Sequence, residues 1–402
     1  MYNKPITENQ EKITKNSKIA IVHDYFNQNG GAENVVESLL NLYPEADIYT
    51  SVFIPSQFLN SPFITASYKA GRVRTTVLNR IFVKNGVVTK YLKYFKHLYF
   101  VYPIFMSFLE VKDYDLVIVT STYCAKNVKL TNNKKILHYI HSPARFLHGL
   151  LTEKDHSSLP LWQRIISGIL KPPLKWLDLR AVDNLVRQNT YWVSNSRFVR
   201  SIVKQAYKID SDVIFPPVNL SKYNKIIRKE STIEEYYICH GRISFHKRID
   251  LAIEACLQLN RKLYISGTSA LLEDFEALKK IVPEGKKDLI VFLGRTTDQQ
   301  LEDLISKAKA MIFPGKEDAG IAPIECLASG LPVIAYQAGG ALEYVQDGIN
   351  GIFFKTQEVD CLVDAILEFE LTKLDIDTIK NSVVEFSEES FATKILETVD
   401  KI

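Results

Sequence analysis

Short apolar runs alternate with amphipathic stretches of helical period along most of the chain, and this alternation limits its possible folds more than any other feature. The first run, KIAIVHD at residues 18–24, ends at polar residues, as a buried parallel strand does. Residues 34–44 follow a turn and place their valines and leucines on one helical face. Repeated strand–helix units predict an α/β fold, a parallel sheet with helices on both faces.

The alternation occurs in two series, and the second begins near residue 213. Its strand candidates are YYICH, RKLYISG, LIVFLGR, AMIFPG and PVIAY. A chain of 402 residues is too long for one compact core. We therefore predict two doubly wound Rossmann-like domains, residues 1–212 and 213–402, that face each other across a cleft. The join is placed in VIFPPVNLSKYN, where two prolines favour a stiff extended connector.

The spacing of the cysteines and the length of the apolar runs predict the cellular compartment of the chain. The five cysteines are scattered and lack zinc-type spacing, which favours free thiols in a reducing cytosol. The polar segment at residues 1–18 has no apolar core of the kind found in signal peptides. The most apolar run, residues 98–109, contains Pro103 and is about half as long as a membrane-spanning helix. We therefore expect a cytoplasmic chain that does not cross a membrane.

A long basic segment stands out against a net charge of only +4, because residues 48–109 contain no acidic side chain. Aromatic residues are interleaved there with eight basic ones: Lys69, Arg72, Arg74, Arg80, Lys84, Lys90, Lys93 and Lys96. Such a segment suits an anionic membrane surface or a polyanionic ligand. The alternative is a solvated basic face above an aromatic core. We expect peripheral association with the inner face of a membrane and no nucleic-acid partner.

The segment KEDAGIAPIECLASGLP, residues 316–332, places two glutamates around a predicted helix start. We expect the helix to begin at Pro323, with Glu317 in the preceding loop and Glu325 in the first turn. Free backbone N–H groups at a helix start can bind an anion or a hydroxyl group, and Gly320 lets a ligand approach that backbone. The simpler alternatives are a solvated loop acid and an acid that favours the helix dipole.

A second loop carries the opposite charge. Arg242 and Lys247 lie in GRISFHKR, between the predicted strand YYICH and the next helix. A guanidinium group and an ammonium group together match a pyrophosphate, and neutralising it would make it a better leaving group. An ordinary basic surface loop is the alternative.

Two features of the first series are weaker signals. Gly30 and Gly31 join a predicted strand to a helix start, where they would admit a phosphate closely. His141 lies at a predicted strand end in HYIHSPARF, from which it would face the cleft. Its alternative role is that of a structural histidine.

In their chain order these features resemble one large family, the family-four retaining glycosyltransferases of the GT-B fold, which use nucleotide sugars. The resemblance runs from about residue 18 to residue 370. The segments IVHDYFNQNGGAENVVESLL, SNSRFV, GRISFHKRIDLAIEA and FPGKEDAGIAPIECLASGLPVIAYQAGGALEYVQDGINGIFF are especially similar to the bacterial O-antigen mannosyltransferase branch, in polysaccharide biosynthesis. The last segment is highly specific, whereas the glycine pair is not.

The resemblance implies roles for both charged loops. Glu317 would contact the donor sugar near the reacting carbon, and Glu325 would hold the nucleotide ribose. Arg242 and Lys247 would bind the diphosphate, with Gly31 behind it. The basic pair would replace a metal ion, so the resemblance implies neither a metal nor another cofactor.

The resemblance also implies contacts to the donor sugar. His141 would lie beside that sugar, and the backbone of Ala319, Gly320 and Ile321 would bind its hydroxyl groups. The chain departs from the branch at Ala319, where phenylalanine is usual, and at Asn219, where aspartate is usual. SGTSA also replaces a Gly-Asp-Gly-Pro-like turn. These departures concern the identity of nucleotide and sugar more than the reaction class.

The expected function is retaining transfer of a hexosyl group, a mannosyl group from GDP-mannose, to a lipid-linked or growing cell-surface glycan. Retention is expected on one face of the sugar, with double displacement through Glu317 as the minor alternative. A nucleotide-sugar epimerase of similar fold would isomerise the sugar without an acceptor. A non-catalytic sugar-nucleotide-binding partner subunit is the alternative outside enzymes.

Overall fold

The computed structural model describes residues 13, 17–84, 86–149, 161–268 and 272–402. The side chains at positions 93, 96, 97, 161–167 and 272–274 are not described, so Lys93 and Lys96 of the basic segment fall outside the described side chains. The chain divides into two compact units. The first takes the described residues of Met1–Leu150 and Leu159–Pro217 together with Phe391–Ile402, and the second takes Val218–Ser390.

The described part of the first unit alternates strands with helices. Its strands are β1 (Ile19–His23), β2 (Asp47–Thr50), β3 (Val73–Thr75), β4 (Val83–Lys84), β5 (Val87–Val88), β6 (Glu110–Lys112), β7 (Leu116–Ser121), β8 (Lys129–Thr131), β9 (Lys135–Ile140), β10 (Tyr191–Ser194) and β11 (Asp212–Val213). Its helices are α1 (Gly31–Leu42), α2 (Pro62–Lys69), α3 (Asn79–Phe82), α4 (Tyr102–Met106), α5 (Arg145–His148), α6 (Leu161–Arg187) and α7 (Arg197–Tyr207).

A parallel sheet in the order β11-β10-β9-β7-β1-β2-β3 forms the centre of this unit. Alternate side chains of β1 enter different cores, Ala20 and Val22 on one face and Ile19 and Ile21 on the other. Both faces are therefore buried, which is why the strand is apolar throughout in the sequence.

The second unit repeats this architecture with its own core. Its strands are β12 (Tyr236–His240), β13 (Lys262–Ser266), β14 (Ile290–Gly294), β15 (Ala310–Phe313), β16 (Val333–Tyr336) and β17 (Gly351–Phe354). Its helices are α8 (Leu220–Asn224), α9 (Ile249–Gln258), α10 (Leu272–Ile281), α11 (Asp298–Lys307), α12 (Ile321–Ala328), α13 (Ala341–Tyr344), α14 (Val359–Leu371) and α15 (Ile376–Asn381). The parallel order β14-β13-β12-β15-β16-β17 is the Rossmann order, which reverses between β12 and β15.

The predicted pair of doubly wound α/β units is confirmed, but the C-terminus differs from the expected division at residues 212 and 213. Helix α16 (Glu388–Lys401) places Phe391, Ile395 and Val399 in the core of the first unit. Their spacing of four gives the helix one apolar face, and such a pattern does not indicate which core the face joins. Across the described ranges, no helix has the length and apolar character needed to span a membrane.

A buried ionic network ties helix α6 into the first unit. Asp178 contacts Nζ of Lys126 at 2.8 Å, Nε2 of His148 at 2.8 Å and the hydroxyl of Tyr207 at 2.9 Å. Burial opposes ionisation of this carboxyl group, but Lys126 and His148 hold the pKa of Asp178 below its ordinary value. The carboxylate thus compensates an ammonium group that is almost fully buried.

We predict that Asp178→Ala lowers the free energy of unfolding by about 3–5 kcal/mol, because it leaves the buried Lys126 ammonium without a carboxylate. Urea unfolding followed by circular dichroism measures the change. The matched control is Asp210→Ala, since Asp210 also pairs with a lysine, Lys204 at 3.2 Å, but on the surface. Equal effects of the two substitutions would contradict a special contribution of the buried pair.

Candidate active site

The loops that follow β12 and β15 form the centre of the candidate site. The sheet order reverses between these strands, and doubly wound sheets bind ligands outside the carboxyl ends of strands at such a point. The two loops pack tightly, since a Cβ atom added to Gly315 would lie 2.7 Å from Cα of Lys247. This contact brings a predicted lysine and a predicted glutamate together.

An ion pair joins these two residues. Nζ of Lys247 lies 2.7 Å from Oε1 of Glu317, and the side chains are 14% and 19% exposed. Partial burial shields the pair from water and strengthens its attraction relative to a surface pair. The sequence predicted a diphosphate on Lys247 and a sugar on Glu317, and the structure adds that the two residues contact each other. A diphosphate on Lys247 would therefore share that ammonium group with Glu317.

The helix after this loop starts earlier than predicted. Helix α12 begins at Ile321, with Gly320 as its N-cap at a φ of +75°, so Pro323 is its third residue. Proline is tolerated throughout the first turn because those N–H groups have no intrahelical partner. The placement of Glu325 in the first turn is thus wrong, and this residue lies in the second turn. Gly330, which follows the end of this helix, has a φ of +82°, the left-handed conformation that glycine commonly adopts there.

A buried tyrosine lies against the start of α12. A Cβ atom added to Gly320 would lie 2.4 Å from the hydroxyl oxygen of Tyr344. Burial raises the pKa of Tyr344 well above its usual value, and the nearby charge of Glu317 raises it further. The hydroxyl makes no hydrogen bond among the described residues. Sequence reasoning did not select Tyr344, because a tyrosine in a short helix is most simply interpreted as a core residue.

Glu325 lies beside Tyr223 of helix α8, and the two side chains form a hydrogen bond. Burial raises the pKa of Glu325, while the hydrogen bond to Tyr223 and the charge of Lys222 oppose the rise. The half-buried carboxyl group therefore interacts with specific side chains, Tyr223 and Lys222, and not only with the helix dipole. Contact with a ribose remains a prediction.

The other predicted residues of the second unit lie within a few positions of Lys247 or Glu317 in the sequence. Arg242 is exposed in the loop after β12. Ala319 and Ile321, which flank Gly320, are half-buried, so this backbone lies near the surface of the unit. The structure therefore gathers the predicted donor-binding residues of this unit around the carboxyl ends of β12 and β15.

One residue of this edge was not predicted. His240, the last residue of β12, lies with Nδ1 3.2 Å from Oγ of Ser266, the last residue of β13. Burial, followed by the charges of Lys247 and Lys222, lowers the pKa of His240 to about 4. Its position at a strand end, directly before the Gly-Arg pair, was the only available sequence signal.

The first unit holds a separate group of predicted residues. His141 is buried at the end of β9, and its Nε2 has no hydrogen-bond partner among the described residues. Burial and then His23 lower the pKa of His141 to about 3, so the ring is neutral near pH 7. The ring centroids of His141 and His23 are 6.3 Å apart.

The glycine pair belongs to the same group. Gly30 is the N-cap of helix α1, and Gly31 is its first residue. A Cβ atom added to Gly30 would lie 3.1 Å from Oε2 of Glu33, whose Oε1 lies 4.0 Å from Nε2 of His23. The buried residues His23 and Glu33, which sequence reasoning did not select, thus connect the glycine pair with His141.

Comparison with known proteins shows similarity to glycosyltransferases. Residues 223–382 match the family model Glycosyl transferases group 1. Human α-1,3/1,6-mannosyltransferase ALG2 is 23% identical over 285 residues, which cover 64% of this chain and 65% of the human protein. The O-antigen chain mannosyltransferase RfbU of Salmonella typhimurium is 28% identical over 225 residues, which cover 51% of this chain and 61% of RfbU.

Solved structures confirm the fold. The crystal structure of Anabaena HepE in complex with UDP superimposes with a TM-score of 0.62 at 16% identity, and the match covers 96% of this chain and 100% of HepE. At this identity the likeness concerns the fold alone. It agrees with the GT-B fold predicted from the sequence.

We predict that Gly320→Ala destabilises the second unit in two ways. A positive φ costs about 1–2 kcal/mol in a residue with a side chain, and the clash with the Tyr344 hydroxyl adds about 1–3 kcal/mol. Removing that hydroxyl in the double variant with Tyr344→Phe should recover the second part, as measured by thermal and urea unfolding.

The matched control for this prediction is Gly348→Ala. Gly348 has a φ of +69° but no atom within 4 Å of an added Cβ, so only the backbone cost should appear. A loss for Gly320→Ala no larger than that of the control would show that the tyrosine contact has no energetic effect.

Proposed function

We propose that this chain, whose residues 223–382 match the family model Glycosyl transferases group 1 and whose fold is GT-B, is a glycosyltransferase that transfers a mannosyl group from GDP-mannose to a lipid-linked or growing cell-surface glycan. The mannosyl part of the proposal is supported by the mannosyltransferases from human and Salmonella that the chain resembles. The contact between Lys247 and Glu317 carries the site assignment, because it joins a diphosphate-type cation to a sugar-type carboxylate at one point.

We propose that the reaction retains the configuration of the sugar. The acceptor hydroxyl attacks the anomeric carbon on the face from which the diphosphate leaves, and a diphosphate oxygen takes up the hydroxyl proton. Arg242 and Lys247 balance the charge of the leaving group, so the proposal includes no metal ion. The carboxylate of Glu317 stabilises the positive charge that develops on the sugar. Double displacement through Glu317 is the minor alternative.

Product analysis tests this function directly. Radiolabelled GDP-mannose is incubated with the protein and a lipid extract that contains acceptor, and labelled UDP-hexoses are tested in parallel because HepE crystallised with UDP. Label in an extended lipid-linked glycan supports the proposal. A changed sugar still attached to its nucleotide identifies an epimerase, and binding without either product identifies a non-catalytic subunit. The anomeric configuration of the new bond, read by nuclear magnetic resonance, tests retention.

We predict opposite effects of Glu317→Gln on turnover and on diphosphate binding. Turnover should fall about 100-fold or more, because the carboxylate acts on the transition state. Affinity for GDP should rise, because the ammonium of Lys247 no longer shares its charge with Glu317. Lys247→Ala should weaken GDP binding while leaving guanosine binding unchanged. Calorimetric titration and steady-state kinetics measure these effects.

A second ion pair of the same unit provides the control. Nζ of Lys309 lies 2.7 Å from Oε2 of Glu235, the same distance as in the site, but these residues precede β15 and β12 and lie at the amino ends of the strands. Glu235→Gln and Lys309→Ala should leave both turnover and GDP affinity unchanged. Normal turnover in folded Glu317→Gln protein would remove Glu317 from the proposed mechanism.

Membrane association is a further part of the proposal. The described basic residues of the segment fall into two groups, those with an acidic partner and those without one. Arg72 and Arg74 pair with Glu45 and Asp47, so part of that charge is neutralised. Four other basic side chains are exposed without an acidic partner in the described part of the chain: Lys69, Arg80, Lys84 and Lys90. Exposed apolar side chains accompany them in the same segment: Val77, Ile81, Val87, Tyr91, Tyr94, Ile104 and Phe108. Unpaired basic groups with exposed apolar groups suit an anionic bilayer surface.

We predict that the protein co-sediments with vesicles that contain anionic lipid and that salt weakens this binding. Each basic side chain near an anionic surface contributes about 1 kcal/mol, so changing Arg80, Lys84 and Lys90 to glutamate together should abolish it. The same charge change at three exposed lysines of the second unit, Lys280, Lys355 and Lys373, is the control and should have little effect. Equal losses in both triple variants would indicate that net charge alone governs binding, rather than this surface.

A further inference from the structure

Three polar side chains form a hydrogen-bonded chain along the carboxyl edge of the second sheet. Nδ1 of His240 lies 3.2 Å from Oγ of Ser266, and this oxygen lies 2.8 Å from Oγ1 of Thr296. His240 ends β12, Ser266 ends β13, and Thr296 follows β14, so the chain crosses three neighbouring strands. No role described above accounts for it.

We propose that His240 is a further donor-binding residue, whose Nε2–H donates a hydrogen bond to the diphosphate of the nucleotide sugar, with Ser266 and Thr296 as the residues that position it. This inference rests on the proposed function, since it concerns the same donor site. It adds a neutral donor to the two cations of the diphosphate site, Arg242 and Lys247.

The surroundings of His240 place it within that site. A Cβ atom added to the next residue, Gly241, would lie 3.3 Å from Nζ of Lys247, so the ammonium rests against the peptide that follows the histidine. Lys222 is close enough for its charge to act on both His240 and Glu325. The imidazole therefore lies near the lysine predicted for the diphosphate and near a neighbour of the glutamate predicted for the ribose.

The hydrogen-bonded chain can fix which nitrogen of the ring carries the proton. The low pKa of about 4 keeps His240 neutral near pH 7, so only one ring nitrogen bears hydrogen. If Thr296 donates to Ser266 and Ser266 donates to Nδ1, the hydrogen is on Nε2. Nε2 has no hydrogen-bond partner among the described residues, and so it can donate to a ligand. The opposite tautomer would present an acceptor, which a phosphate oxygen cannot use.

Two substitutions separate these possibilities. The amide nitrogen of a glutamine reaches close to the position of Nε2, so His240→Gln preserves a donor toward the diphosphate. The shorter asparagine reaches only the position of Nδ1, so His240→Asn preserves the bond to Ser266 and removes the outer donor. Ser266→Ala leaves the imidazole in place and removes the group that sets its tautomer.

Calorimetric titration of the full chain with GDP, UDP, guanosine and uridine tests the inference. For the nucleoside diphosphate that wild-type protein binds more tightly, His240→Asn should raise Kd roughly 10-fold, the effect of losing one hydrogen bond to a charged group. His240→Gln should restore most of this loss, and Ser266→Ala should lie between them. Nucleoside affinity should stay constant, which serves as the internal control for folding of the site.

The tautomer gives an independent readout. In protein with ¹⁵N-labelled histidine, the resonances absent from His240→Gln identify His240, and they should show a neutral ring protonated at Nε2. A ring protonated at Nδ1 would overturn the inference.

The binding outcomes distinguish this inference from the proposed function. Wild-type affinity in His240→Asn, equal losses in the asparagine and glutamine variants, or equal losses for nucleoside and diphosphate would overturn the inference alone. Failure of wild-type protein to bind either nucleoside diphosphate would overturn the proposed function and the inference together.

Discussion

The pairing of β12 with β15 at the centre of the second sheet determines where the candidate site of this protein lies. Parallel strands end on the same side, so the polar residues after these two strands meet at one edge although they are far apart in sequence. Gly315 allows the two loops to approach until only a glycine fits between them. The contact between Lys247 and Glu317 depends on that approach.

Much of the fold was predictable because a short apolar run in the sequence indicates a buried strand at that position. The run YYICH corresponds residue for residue to β12, and the other strand runs named above match β1, β13, β14, β15 and β16 within a few residues. The short strands β2 and β3, the last two at one end of the first sheet, carried no such signal, since they contain polar residues among few apolar ones. The sequence of helix α16 is amphipathic, but its apolar face packs on a core formed by residues far away in the sequence. A local pattern cannot indicate that core.

The candidate site was predictable as a set of residues and much less as a set of contacts. Chain order and residue type selected Glu317 and Lys247, but their mutual contact follows from strand order, which no local pattern encodes. The start of α12 was misplaced by two residues because proline is compatible with any position of the first turn. His240 was missed because a histidine at the end of an apolar run has no pattern of its own.

The ion pair between Lys247 and Glu317 explains how the second unit can hold two charged side chains in a largely buried position. An isolated ammonium or carboxylate there would lose hydration without compensation, whereas the pair between Lys247 and Glu317 compensates both. In the proposed reaction the diphosphate and the developing positive charge of the sugar supply replacement partners of the correct sign. Each charge then exchanges one partner for another rather than being left unpaired. Under the proposed function, the same two residues therefore contribute to stability and to catalysis through one contact.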